Sequence, residues 1–191
     1  MATIRPFKAI RPARDKAHLL ASRSYMSYSD ETLKEKLENN PYTFLHIINP
    51  EYNKKSKKSG MEKYQLVKEK FELFLKNGNL IHDKKSAFYL YQQQKGKHIF
   101  QGIIAAISVQ DYLNDNIKIH EHTLTEREEM FKNYLDVTGF NADPVLLCYK
   151  ATESIDTIIK KYVKSRPEYE FRTTNKALHK LWIIYLADDI G

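Results

Sequence analysis

The chain has 191 residues, with 31 Lys plus Arg against 24 Asp plus Glu and a formal charge of +7 at pH 7. With 42% hydrophobic and 29% charged residues and only 6 Gly and 6 Pro, it is neither collagen-like, nor a low-complexity tail, nor a disordered acidic protein. A single cysteine, Cys148, excludes a disulfide scaffold and an all-cysteine zinc site. No apolar run approaches the ~20 residues that span a bilayer, and the N-terminus has no signal-peptide core, so a cytoplasmic protein with no membrane partner is expected.

Pro6 and Pro12 predict an extended start over Ile4 to Pro12. Ser29 or Asp30 caps a short helix with Leu33 and Leu37 on its inner face, stopped by Asn39-Asn40-Pro41. Thr43 to Ile48 reads as a compact apolar strand. From Met61 to Lys76, residues Tyr64, Val67, Phe71, Phe74 and Leu75 have helical spacing, and Asn77-Gly78 ends the run. Phe88 to Gln92 and Ile99 to Val109 read as a hairpin joined through Lys95-Gly96. Thr125 with Glu128 makes a capping box for a helix through Leu135, closed by Gly139.

Val145 to Tyr149 is predicted as a strand, with Cys148 a buried, inert thiol inside it. Ile155, Ile158, Ile159, Tyr162 and Val163 form one apolar helical stripe. Tyr169 and Phe171 alternate along a strand, and Leu181 to Leu186 is a nearly continuous apolar strand. The expected class is α+β, a mixed sheet with a hairpin and about four flanking helices, residues 1–191 forming one unit with no internal linker. The last strand lies just before the end of the sequence, which reads as a cut inside a longer chain.

A basic balance suits nucleic acid, yet the only dense run, Lys54-Lys55-Ser56-Lys57-Lys58, reads as a solvated loop of point charges. Most aromatic residues fall at core-like positions, and no zinc-finger, helix-turn-helix or RNA-binding signature is present, so the sequence disfavours nucleic acid as a partner. Walker-type, dinucleotide and nucleophile-elbow motifs are absent as well. His46, inside Phe-Leu-His-Ile-Ile, reads as a satisfied core histidine.

The densest polar cluster is Lys118-Ile119-His120-Glu121-His122-Thr123, ahead of the capped helix. In an extended conformation Lys118, His120 and His122 share one face and Glu121 takes the other. His120 and His122 suit zinc, but a third ligand from His98, Glu126 or Asp143 is fixed by nothing in the spacing, and no metal ligands are assigned. Glu121 as a general base, tuned by its neighbours, is the competing chemistry. A solvated strand-to-helix loop accounts for the spacing equally well.

Several segments in order carry a resemblance. They are Ile4-Arg5-Pro6-Phe7-Lys8-Ala9, Asn49-Pro50-Glu51 after Phe44-Leu45-His46, Tyr89-Leu90-Tyr91, Gly102 to Tyr112, the Lys118 to Thr123 stretch, and Asp143-Pro144-Val145-Leu146-Leu147. Together they resemble the N-terminal half of a bacterial family, domain of unknown function 1015, whose members are sometimes labelled relatives of the partition protein ParB. One departure is Ser24-Tyr25-Met26-Ser27, where the family has Pro-Tyr-Asp-Val.

The second half of such proteins carries an Asp-Gly-His-His-Arg-Tyr motif similar to one in ParB-like nucleotidases and free-serine kinases. The resemblance therefore implies a site assembled from both halves, with the missing C-terminal half as a partner and a small molecule or nucleotide as ligand. In that implied site Glu121 is the base that activates a substrate hydroxyl and His120 stands beside it. Lys118, His122 and Thr123 bind substrate, and Mg²⁺ with ADP or ATP is the cofactor set. The alternative is a non-catalytic, ParB-like DNA-associated or regulatory module.

Overall fold

The computed structural model describes residues 2–23, 27–52, 54–55, 57–118 and 125–185. In chain order the elements are β1 (Ile4–Arg5), β2 (Ile10–Pro12), α1 (Ala17–Leu20), α2 (Asp30–Asn39), α3 (Leu45–Ile48), α4 (Gly60–Lys76), β3 (Leu80–His82), β4 (Ala87–Lys95), β5 (His98–Ile104) and β6 (Ala106–Ile107). Then follow α5 (Val109–Leu113), α6 (Thr125–Thr138), α7 (Glu153–Tyr162), β7 (Tyr169–Arg172) and β8 (Leu178–Tyr185). The class is α+β, as the sequence predicts. No helix among the described residues is long and apolar enough to cross a membrane.

Backbone contacts divide the chain into two compact units, one of residues 1–18, 82–120 and 147–191, the other of residues 19–81 and 121–146. The first is built on a four-stranded antiparallel sheet in the order β5-β4-β8-β7. The β4–β5 hairpin forms at Gly96, whose φ of 59° is the left-handed conformation that a tight turn needs and glycine adopts without strain.

The pleat sends alternate residues to opposite faces. On one face Phe88 and Leu90 of β4 stand beside Ile184 and Trp182 of β8, and α7 covers them with Ile158, Ile159 and Tyr162. That is the apolar stripe expected from the sequence, and it is a core because burying each such side chain is worth ~1.5–3 kcal/mol. The Trp182 indole N–H is not wasted: it donates to the Ser165 carbonyl at 3.0 Å.

At the start of the chain, Phe7 and Ala87 exchange two backbone hydrogen bonds, and the Asp83 amide donates to the Ala9 carbonyl. β1 pairs with β6 through Ile4 opposite Ile107. The Asp111 carboxylate accepts the Thr3 amide at 2.7 Å and the Asn116 carboxamide at 2.8 Å, which holds its pKa below the ordinary carboxylate value.

The second unit is helical. Ser29 caps α2 through a bond from the Thr32 amide, and Leu37 is buried, as expected. α4 packs on α6, with Tyr64 edge-on to Tyr134, and the Phe71 ring stacks on Phe140 at 3.9 Å between centroids. α6 takes in Thr125 itself, and Gly139 follows its end with φ 71°.

Four expectations are corrected. Thr43 to Ile48 holds a helical turn, α3, rather than a strand: the Asn49 amide bonds back to the Leu45 carbonyl, and Leu45 and Ile47 are fully buried. A six-residue run with apolar Phe44, Leu45, Ile47 and Ile48 carries no period that separates the two states. The predicted second hairpin strand pairs with β4 only as far as Ile104, Ala106–Ile107 pairs with β1 instead, and Val109 opens α5, capped by Ser108. Val145 to Tyr149 has no regular structure, with Val145 83% and Leu146 89% exposed. Cys148 is consequently exposed rather than buried, because among the described residues its segment has no ladder partner.

Candidate functional site

β2 delivers Arg11 into the polar face of the sheet, the face opposite α7. Its Nε donates to Asp83 Oδ1 at 2.7 Å, and its Nη1 donates to Glu168 Oε1 at 3.0 Å and to the Tyr169 hydroxyl. The Tyr169 hydroxyl itself donates to the Pro12 carbonyl. The Tyr89 hydroxyl donates to Asp83 Oδ2 at 2.7 Å and accepts the Ala9 amide at 3.0 Å. Asp83 thus has both oxygens engaged in a side chain only 5% exposed, the arrangement a buried carboxylate requires.

Burial opposes the Arg11 charge, but the bonds with Tyr169 and Asp83 outweigh it, and its pKa is raised. Burial, reinforced by the bond to Asp83, pushes the Tyr89 hydroxyl up to about 12. Tyr169 is raised by burial too. The network therefore joins a guanidinium to Asp83 and Glu168, and both of its phenols are neutral near pH 7.

Further along the same face, Phe171 of β7 lies opposite His179 of β8, and their rings stack at 5.2 Å with 13° between planes. The imidazole is held at both nitrogens, Nδ1 by the Tyr91 hydroxyl at 2.6 Å and Nε2 by the Thr173 hydroxyl at 3.1 Å. Burial lowers the His179 pKa, which keeps the ring neutral.

Outside this network lies a cleft of about 430 Å³, walled by Arg14, Ala17 and His18 on one side and by the run Arg166 to Phe171 on the other. Its two carboxylates are already neutralised. Glu168 is bound to Arg11, and Glu170 lies 3.3 Å from Lys180 Nζ. Among the described residues, no hydrogen bond or ion pair engages the side chain of Arg14, His18 or Arg166. Among the described residues, the charge of the cleft left uncompensated is positive, and Arg14 and Arg166 are exposed.

Of the residues expected to carry chemistry, Lys118 is an exposed side chain beyond α5. His120, Glu121, His122 and Thr123 lie outside the described residues. His98, Glu126 and Asp143 are all exposed, and no group of three or more His, Cys, Asp or Glu among the described residues is placed to hold a metal ion. His46 is half-buried, its Nε2 3.1 Å from the Asn40 carbonyl, the satisfied state its sequence context suggested.

Sequence reasoning passed over Arg11, Asp83, Arg14, Arg166 and Glu168. One signal was present: arginine is scarce, with seven in the chain against a lysine-rich background, and three of them meet at or behind this cleft. Arginine is the side chain that holds planar, bidentate bonds to carboxylate or phosphate, so its sparing use marks positions where lysine does not serve.

Comparison with curated proteins and with solved structures returns no match. The family described as Protein of unknown function (DUF1015) matches residues 4–191, a span that takes in both walls of the cleft and the Lys118 to Thr123 stretch. The chain belongs to the DUF1015 family.

Proposed function

We propose that this chain binds a small phosphorylated ligand, with Arg14, Arg166 and His18 receiving the anionic group. The observation that supports this reading is the unpaired positive charge of the cleft, left over after both of its carboxylates are engaged. Phosphate offers three oxygens to planar guanidinium forks, and charge-assisted bonds of this kind are about twice as strong as neutral ones.

Transfer of a phosphoryl group to a small hydroxyl compound is the reaction we assign to the longer family proteins. Glu121 would take the hydroxyl proton beside His120, and Lys118, His122 and Thr123 would hold substrate, with Mg²⁺ and ADP or ATP as cofactors. This part rests on the resemblance alone. The DNA-associated alternative leans on the +7 charge and the ParB label, and in the densest basic run Lys54 already lies 3.5 Å from Glu51 and Lys58 3.9 Å from Glu62.

Calorimetric titration of the chain with tripolyphosphate at low salt tests the binding. The wild type gives a saturable isotherm, and Arg14→Ala with Arg166→Ala weakens it by ~10-fold or more, each charge-assisted bond being worth ~1.5–3 kcal/mol. An unchanged isotherm in the double variant removes the cleft as the site. Retention of duplex DNA that falls steeply with salt would favour the alternative. For the reaction, Glu121→Gln in a longer family protein abolishes phosphoserine formation from free serine; full turnover in that variant eliminates the base.

A further inference from the structure

The cleft is not purely ionic, because Phe171 is among the residues that line it. Among the described residues, β7 is an edge strand and β8 is its one neighbour. His179 lies opposite Phe171 on that neighbour, so the stack between them occupies the side of the phenyl ring that looks toward β8. The other side of the ring borders the unpaired edge, where the cleft begins. A ring backed by another ring is a rigid platform, and here the backing ring is itself tied down by Tyr91 and Thr173. Arg14 and Arg166 line the same cleft.

We infer that the ligand of this cleft is a nucleoside phosphate, whose base stacks on the free side of Phe171 while its phosphates meet Arg14 and Arg166. The inference rests on the anion-binding reading and adds to it a reason to prefer a nucleotide over an aliphatic phosphoester. Every nucleobase has a π face, so the platform accepts a base without reading its edge. The neutral imidazole behind Phe171 leaves the stacking surface uncharged, and the ionic selectivity stays with the arginines.

The 191-residue chain is titrated at low salt with ATP and, separately, with tripolyphosphate. ATP is expected to bind about 5- to 150-fold more tightly, the range that base–aromatic stacking supplies. Phe171→Leu erases that margin and leaves tripolyphosphate affinity in place. Phe171→Trp keeps the margin, and its indole emission is quenched by ATP and not by tripolyphosphate. Equal affinities for the two ligands in the wild type, or an undiminished margin in Phe171→Leu, overturn the stacking while leaving the anion cleft standing. Absence of binding by both ligands overturns the cleft and this inference with it.

Discussion

The two faces of the four-stranded sheet are made by the same strands and solve opposite problems. Phe88, Leu90, Trp182 and Ile184 point to one side and are closed over by α7. Tyr89, Tyr91, His179, Tyr169 and Phe171 point to the other, where Arg11 and Asp83 meet them. The apolar face gains its energy from area removed from water, which tolerates approximate shape. The polar face gains little net energy per bond, but an unmade bond there is costly, so each partner's position is specified. Positional precision has accumulated on the polar face, and the cleft opens beside it.

Substitutions should separate the two faces. The largest effect is expected on the apolar side: Trp182→Ala empties a side chain 3% exposed and strands the Ser165 carbonyl, at a cost of about 4 kcal/mol. Urea unfolding measures it, and tripolyphosphate affinity of the folded fraction should not move. Loss of affinity there would show that the cleft depends on the apolar face, against the division drawn above.

On the polar side, Arg11→Met should cost about 3 kcal/mol, because Asp83 is left buried without its cation. It should also weaken tripolyphosphate binding several-fold, since Glu168 is released and becomes a free negative charge in the cleft. Arg11→Lys restores a charge but not the fork that reaches Asp83, Glu168 and Tyr169 together, and is expected to recover stability only in part. A stability loss with unchanged affinity would make the network purely structural.

The contrast also explains what could be read from the sequence. The apolar stripe of α7, the β4–β5 hairpin and the alternation of Tyr169 with Phe171 were legible because each is a local pattern with a period. The polar face was not. Arg11 meets partners 72 and 157 residues away, at Asp83 and Glu168, and no spacing rule connects them. Val145 to Tyr149 failed for a related reason, since strand-prone residues make a strand only where another strand offers its edge. The Lys118 to Thr123 cluster was conspicuous as a motif, but only Lys118 lies within the described residues.

The smallest effect distinguishes the faces by pH. Tyr89 donates to Asp83, and its pKa stands at about 12 against an ordinary value near 10. Between those values the unfolded chain has released the proton and the folded chain has not, so the folded state binds more protons and stability falls as pH rises. The contribution is whole below pH ~10 and gone above the folded pKa. Tyr89→Phe should cost about 1 kcal/mol at pH 7, where it removes a bond to a buried carboxylate. From pH 10 to 12 its unfolding midpoint should decline less steeply than that of the wild type. Some slope persists in the variant because burial also raises Tyr91, Tyr134 and Tyr169. Parallel alkaline slopes in the two proteins would mean that Tyr89 loses its proton equally well in the folded chain, and the Asp83 bond would then not be what holds it.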